Sequence, residues 1–194
     1  MSTSTIIVAK RSEESRIASL MTLAFTNDPV MRYLYPDQLQ FLTHFPEFVR
    51  LFGGKAFDRG SAYMTTHGLG AALWLPPDEQ PDEEALIELV KRSAADSAKA
   101  ELFQVFQQMS SYHPEEPHWY LPLIGVDPLY QGGGIGSALL THALAICDRE
   151  GRLAYLESSN PKGLQLYRRH GFEVLGTIDV GEHPTIIPML RKPR

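Results

Sequence analysis

The stretch that decides the fold is residues 125–140, which read Gly-Val-Asp-Pro-Leu-Tyr-Gln-Gly-Gly-Gly-Ile-Gly-Ser-Ala-Leu-Leu. The pattern predicts a strand over His118–Val126, a turn region rich in glycine, and a helix over Ser137–Arg149. Glycine allows positive φ and lets a ligand approach the backbone closely. The free N–H groups and the dipole of a helix N-terminus favour an anion such as phosphate. The stretch therefore predicts either a phosphate-binding loop or a tight glycine turn without a ligand.

Two known phosphate loops fit this stretch poorly. A P-loop needs a lysine before the Ser or Thr at the helix start, whereas here Ile135 and Gly136 precede Ser137. A dinucleotide-binding loop gains support from Glu157, which ends the next predicted strand about twenty residues further on. However, that loop lacks its third glycine here, and five residues separate Val126 from Gly132. Triphosphate hydrolysis is disfavoured, and an NAD(P)-binding oxidoreductase stays as an alternative.

The rest of the chain predicts one α+β domain over residues 1–194 with a mixed sheet. Its other predicted elements are a strand over 5–9, a helix from 12 that stops at 27–29, a helix over 38–52, a hairpin of strands over 61–66 and 69–75, a helical stripe from 86 to 109 with a break near 97, a strand over 153–157, a helix over 161–170, and closing strands over 172–179 and 185–190.

Composition narrows the classes of function. The 194 residues are 43% hydrophobic and 21% charged, with a net charge of −5. A negative net charge argues against nucleic acid as a partner. No apolar run is long enough for a membrane span, so we expect a cytoplasmic domain without membrane contact. The single cysteine, Cys147, is expected to be a buried structural thiol, and the seven histidines lack the spacing of metal ligands, so no metal is expected.

Two blocks resemble the Gcn5-related N-acetyltransferase (GNAT) superfamily. Residues 131–136, Gln-Gly-Gly-Gly-Ile-Gly, are similar to its Gln/Arg-x-x-Gly-x-Gly/Ala signature. Asn160, then Tyr167 seven residues later, then Gly171-Phe172 are similar to its second block. The resemblance implies a central, mostly antiparallel twisted sheet flanked by helices. It also implies acetyl-CoA as cosubstrate and direct transfer of the acetyl group to an amine.

The resemblance implies a set of site residues. The central strand should part from its neighbour near Val126 so that the pantetheine arm can bond to the backbone, and Tyr167 should protonate or hydrogen-bond the departing thiolate. Asn160 should steady the pantetheine arm, although Asn before Pro is also an ordinary helix start. Two positions depart from the family pattern: Gly133, where relatives usually carry Lys or Arg, and Gly163. The expected coenzyme-binding residues are Gly125, Val126, Gln131, Gly132, Gly133, Gly134, Ile135, Gly136, Ser137, Asn160 and Tyr167.

The general base and the acceptor stay open at the level of sequence. Glu157, His118 or a water that they organise could take the proton from the amine; the alternative for both residues is a strand end without a catalytic role. Residues 125–128, 156–159 and 188–193 faintly resemble small-molecule acetyltransferases of the puromycin-inactivating type, which favours a small amine over a protein tail. A non-catalytic acyl-CoA-binding module is a further alternative. Neither the oligomeric state nor the range of acyl groups can be read, although homodimers are common among such enzymes.

Overall fold

A single mixed sheet organises the protein in the computed structural model, which describes residues 5–194. Its strands are β1 (Ile6–Val8), β2 (Ala62–Thr65), β3 (Gly70–Leu75), β4 (His118–Val126), β5 (Leu153–Ser158), β6 (Glu173–Val174) and β7 (Ile187–Arg191). The spatial order is β1-β2-β3-β4-β5-β7-β6. Within the described chain, β4 and β5 form the one parallel pair, and the other neighbours are antiparallel. The predicted α+β class with a mostly antiparallel sheet is confirmed.

Helices cover both faces of this sheet. They are α1 (Glu14–Ala24), α2 (Pro29–Leu34), α3 (Gln38–Gly53), α4 (Lys55–Asp58), α5 (Glu83–Ser93), α6 (Asp96–Tyr112), α7 (Ile135–Glu150) and α8 (Leu164–Arg169). One core lies between the sheet and α1–α6, and the second lies between the sheet and α7 with α8. Neighbouring residues of one strand point into different cores: Leu73 belongs to the first and Trp74 to the second. Among residues 5–194, none of the helices combines the length and the apolarity that a bilayer crossing requires.

Two helical predictions differ from the structure in detail. The long helical stripe divides at Ala94–Ala95, where the extended backbone of both residues ends α5 and starts α6. Asp28-Pro29 stops α1 as predicted, but it also starts α2, because the Asp28 side chain accepts from the backbone N–H groups of Val30 and Met31.

The closing strands are shorter than predicted. The strand expected over 172–179 pairs only at Glu173–Val174, and the strand expected over 185–190 lies instead at Ile187–Arg191. Pro184 has no N–H to donate to a ladder, and Gly181 turns the chain at a φ of 53°. Between the two short strands, an isolated bridge joins Ile178 to Ile186.

Candidate active site

The candidate site is an opening in the middle of the sheet. Strands β4 and β5 pair only along His118–Tyr120 and Leu153–Tyr155. Beyond Tyr120, β4 continues to pair with β3 as far as Val126, and β5 continues with β7 as far as Ser158. The two strands therefore part towards their C-terminal ends, as the resemblance implied. The facing backbone edges are left without a neighbouring strand, so they can bond to a ligand.

A cleft of about 430 Å³ fills this opening. Of the residues predicted to bind the coenzyme, all but Gly133 line it, from Gly125 in β4 to Tyr167 in α8. Glu157, one of the two predicted bases, lines it as well, whereas His118 does not. The structure thus brings together two sequence blocks, 125–137 and 157–167, that lie about twenty residues apart in the chain.

The glycine loop forms an open cradle at one end of the cleft. Gly132 and Gly134 have φ values of 79° and 88°, a region that side-chain-bearing residues rarely adopt, and neither has an atom within 4 Å of where a Cβ would stand. No side chain caps α7 at Gly134, and the first N–H that bonds back along this helix is that of Ala138, to Gly134 O. The preceding N–H groups, at residues 135–137, are therefore free for an anionic ligand.

Other groups around the loop fix its position and charge. The Gln131 side chain donates from Nε2 to the carbonyl of Val126 at 3.1 Å, which ties the loop to the end of β4. The Oγ of Ser137 lies 2.8 Å from Nε2 of His170. Lys162 and Arg169 line the cleft and supply positive charge to it, although Gly133 lacks the cation usual at its position.

Asn160 and Tyr167 both line the cleft from the segment that follows β5. Asn160 acts as an N-cap, since its Oδ1 accepts from the backbone N–H of Lys162 at 3.1 Å. Because it also lines the cleft, the same residue can contact a bound coenzyme. Burial, with a smaller contribution from the charge of Asp28, raises the pKa of Tyr167 to about 12. Gly163 has a local reason to lack a side chain: a Cβ there would lie 3.2 Å from Cε2 of Tyr167.

Glu157 is a buried carboxylate at the wall of the cleft. Its side chain is 4% exposed, and its Oε2 accepts from the Tyr120 hydroxyl at 2.7 Å. Burial, followed by the nearby Glu157 charge, raises the pKa of Tyr120 well above its ordinary value, so Tyr120 stays protonated and donates. The Nε2 of His113 lies 3.0 Å from Oε1 of Glu157 but not in hydrogen-bond geometry, and Oε1 accepts no hydrogen bond from any group in residues 5–194.

His118 lies away from the cleft. It is the first residue of β4, seven residues before Gly125, which corresponds to about 23 Å along a strand. Its Nδ1 lies 2.8 Å from the carbonyl oxygen of Glu116, and burial lowers its pKa. Of the two bases considered from the sequence, the geometry favours Glu157.

One acidic residue at the cleft was interpreted from the sequence only as a helix stop. Asp28 is 5% exposed, and its Oδ2 accepts from the Ser159 hydroxyl at 2.6 Å, which joins the α1–α2 corner to the segment after β5. Burial raises the pKa of Asp28. The dipeptide Asp28-Pro29 indicates the start of α2 from sequence alone, since Asp followed by Pro is typical of a helix start as well as a stop.

The single thiol takes no part in this site. Cys147 is 1% exposed within the second core, and burial raises its pKa to about 12. The expectation of a buried structural thiol is confirmed. Across residues 5–194, no group of three or more His, Cys, Asp or Glu side chains is arranged to hold a metal ion.

Comparisons with known proteins agree with this geometry. Residues 95–174 match the family model described as an acetyltransferase (GNAT) domain. An uncharacterised N-acetyltransferase of Schizosaccharomyces pombe is 25% identical, with 96% of this chain and 84% of that protein covered. A mycothiol acetyltransferase of Saccharomonospora viridis is 31% identical over 68% of this chain, which spans only 48% of that longer protein. A crystal structure described as histone acetyltransferase HPA2 and related acetyltransferase, from Corynebacterium glutamicum, superposes with a TM-score of 0.67 at 26% identity, with 98% of this chain and 97% of that chain covered.

The comparisons support an acyltransferase of the GNAT type. Residues 95–174 match the GNAT domain, and the whole chain has the fold of solved acetyltransferases; proteins of this family use acetyl-CoA and act on small-molecule or protein amines.

Proposed function

We propose that this protein transfers the acetyl group of acetyl-CoA directly to the amine of a small molecule. The observation that carries the proposal is the cleft between the parted strands β4 and β5. It has an anion cradle at Gly132–Ser137 and both Glu157 and Tyr167 in its wall. Acetyl-CoA supplies an activated thioester and a pyrophosphate, and the cleft offers groups that suit each of these parts.

Binding falls to the backbone and to a few side chains. The free N–H groups at residues 135–137 hold the pyrophosphate, with Lys162 and Arg169 adding positive charge. The unpaired edge of β4 up to Val126 bonds to the amides of the pantetheine arm, and Asn160 steadies that arm. A pantetheine laid along this edge brings the thioester towards the wall that contains Glu157.

The chemistry then needs a base, an oxyanion donor and a donor to the thiolate. Glu157, which lines the cleft, takes the proton from the attacking amine, while Tyr120 donates to its Oε2 and holds the carboxylate in place. A backbone N–H at Gly125 or Val126 stabilises the oxyanion. Tyr167 has a pKa of about 12, far above the value of about 8.5 for a thiol, so it acts as a hydrogen-bond donor to the departing thiolate and largely keeps its proton.

The fold argues against the dinucleotide alternative. A nucleotide-binding α/β sheet places its ligand across parallel strands, whereas the strand before this glycine loop pairs antiparallel with β3 and only briefly parallel with β5. The ribose contact that this alternative assigned to Glu157 would also require that carboxylate to leave the hydroxyl of Tyr120.

The test is a product assay with acetyl-CoA and a panel of amines. We expect the release of free thiol to be matched by an equal amount of acetylated amine, detected by mass spectrometry. Glu157→Gln keeps a hydrogen-bond acceptor for Tyr120 and serves as the matched variant, which should release far less of both products. Equal activity in this variant, or thiol release without an acetylated amine, would contradict the proposal.

A further inference from the structure

A second cavity adjoins the cleft on the side of α1–α6. It measures about 110 Å³, and it shares four residues with the cleft: Phe25, Pro122, Glu157 and Ser159. The two spaces therefore adjoin at these four residues, among them Glu157, which the amine must reach if the proposed function is right. A ligand in this cavity can extend a group to Glu157 without entering the glycine-loop end of the cleft.

The walls of this cavity are almost entirely apolar. Aliphatic, aromatic and thioether side chains from α2, α3, α5 and α6 form them, among them Leu34, Phe48, Leu102 and Met109. Among residues 5–194, Glu157 is its one acidic lining residue, and no lysine or arginine lines it. The other polar side chains are those of Ser159, whose hydroxyl is already bonded to Asp28, and His183.

His183 does not add a charge to the cavity. Its Nδ1 lies 2.7 Å from the carbonyl oxygen of Pro184, and its ring packs edge-on against Tyr33 at 5.3 Å. Burial lowers the pKa of His183 below its ordinary value of about 6.5, so the ring is neutral at pH 7. The charged group that acts on it is Glu101, whose Oε2 accepts from the hydroxyl of Tyr33.

We infer that this cavity holds the body of the acceptor, and that the acceptor is a primary monoamine with a compact apolar substituent, about the size of one six-membered ring. The inference rests on the proposed function and specifies its substrate class. The cavity of about 110 Å³ is smaller than the roughly 150 Å³ of an apolar cavity that binds benzene, so it suits a substituent no larger than one ring, part of which can extend into the adjoining cleft. The amine pairs with the carboxylate of Glu157, the residue that lines both the cavity and the cleft.

The same lining disfavours the other common amines. A polyamine or agmatine would bring a second cation into a space that offers it no second carboxylate. An amino acid or a peptide would bring carboxylate or amide groups to apolar walls that cannot bond to them. Each of these acceptors would lose hydrogen bonds to water without gaining equivalent hydrogen bonds in the cavity.

The first test is a substrate series on the unmodified protein. Acetylation rates are measured for methylamine, butylamine, 2-phenylethylamine, 4-phenylbutylamine, agmatine, spermidine, glycinamide and a short peptide. We expect kcat/KM to rise at least about 100-fold from methylamine to the best apolar amine, since each methylene in an apolar pocket contributes about tenfold or more. Agmatine, spermidine and the peptide should lie at least tenfold below that amine.

A pair of variants tests the cavity itself. Ala98 is 2% exposed and lines the cavity, whereas Ala100 is exposed on the same helix α6. Ala98→Leu should lower kcat/KM for 2-phenylethylamine at least tenfold more than for methylamine, and Ala100→Leu should leave both unchanged. The KM for acetyl-CoA should stay the same in both variants, because neither residue lines the cleft.

The outcomes separate this inference from the proposed function. Preferred acetylation of agmatine, spermidine or glycinamide would overturn the inference and leave the proposed function standing, whereas preferred acetylation of the peptide would overturn both. Acetyl-CoA binding by thermal shift, without acetylation of any amine in the series, would overturn the inference. Absence of acetyl-CoA binding would overturn the proposed function and the inference with it. If Ala98→Leu does not fold, the substrate series alone decides.

Discussion

Tyr167→Phe is the substitution that tests the proposed chemistry most selectively. It removes one oxygen from a half-buried ring that lines the cleft and packs edge-on against Phe172 at 6.1 Å. No group within residues 5–194 hydrogen-bonds to this hydroxyl, so its loss breaks no internal contact and should leave the fold intact. The substitution should therefore slow the step in which the thiolate leaves.

The expected magnitude follows from the strength of that hydrogen bond. With a pKa of about 12, Tyr167 is a neutral donor throughout the range of enzyme assays. A hydrogen bond to a charged group is worth about 1.5–3 kcal/mol, which corresponds to about 10- to 150-fold in rate. We expect kcat to fall about 100-fold. The ground-state thioester is uncharged at sulfur, so affinity for acetyl-CoA should change little.

The assay is single-turnover thiol release, so that product release does not mask the chemical step. Tyr63→Phe is the matched control, because Tyr63 is buried in the second core, has its pKa raised by burial to about 12, and lines neither the cleft nor the second cavity. An unchanged rate in Tyr167→Phe, or an equal loss in Tyr63→Phe, would refute the role assigned to Tyr167.

Three further predictions address the loop, the base and the fold. Gly134→Ala should lose about 1–2 kcal/mol of stability because of the positive φ at this position, and it should bind acetyl-CoA more weakly. Gly60 has a φ of 65° and equal space for a Cβ, so Gly60→Ala should lose stability but keep its affinity for acetyl-CoA. Thermal unfolding with and without acetyl-CoA measures both effects. Glu157→Gln should lower kcat at least about 100-fold in steady-state assays, with the KM for acetyl-CoA unchanged; a residual rate above one tenth would exclude Glu157 as the base. Asp148→Asn removes the negative charge beside the buried guanidinium of Arg191 and one of the two oxygens that accept from it, and should cost about 3 kcal/mol at pH 7. Because Arg191 lowers the folded-state pKa of Asp148, this difference in unfolding free energy should shrink as pH falls below about 4, and a pH-independent difference would contradict the ion pair.

Local patterns were enough to predict much of the fold. The glycines of residues 132–136, between a strand and a helix, predicted a loop, because its geometry depends on residues that are neighbours in sequence. Gly132 and Gly134 adopt the positive φ that such a loop needs. Asn160-Pro161 likewise predicted a helix start, which the structure confirms as an N-cap followed by a 3₁₀ turn. In both cases the determining interactions lie within a few residues.

Features that depend on distant pairing could not be predicted from residue patterns alone. The parting of β4 and β5 follows from the register between two strands more than thirty residues apart, and only the resemblance suggested it. The same register decides that Tyr120 meets Glu157, while His118 lies at the far end of its strand. The second cavity was equally invisible, since its walls come from four helices and the sheet.

The measurement that tests the central claim most directly is thermal unfolding of the pure protein with acetyl-CoA, coenzyme A, NAD and NADP, each at millimolar concentration. A ligand at about one hundred times its Kd adds about 2.7 kcal/mol, which raises Tm by a few degrees for a chain of this size. We predict a rise with acetyl-CoA and coenzyme A and none with NAD or NADP. A rise with NAD or NADP and none with coenzyme A would contradict the coenzyme site described at the glycine loop.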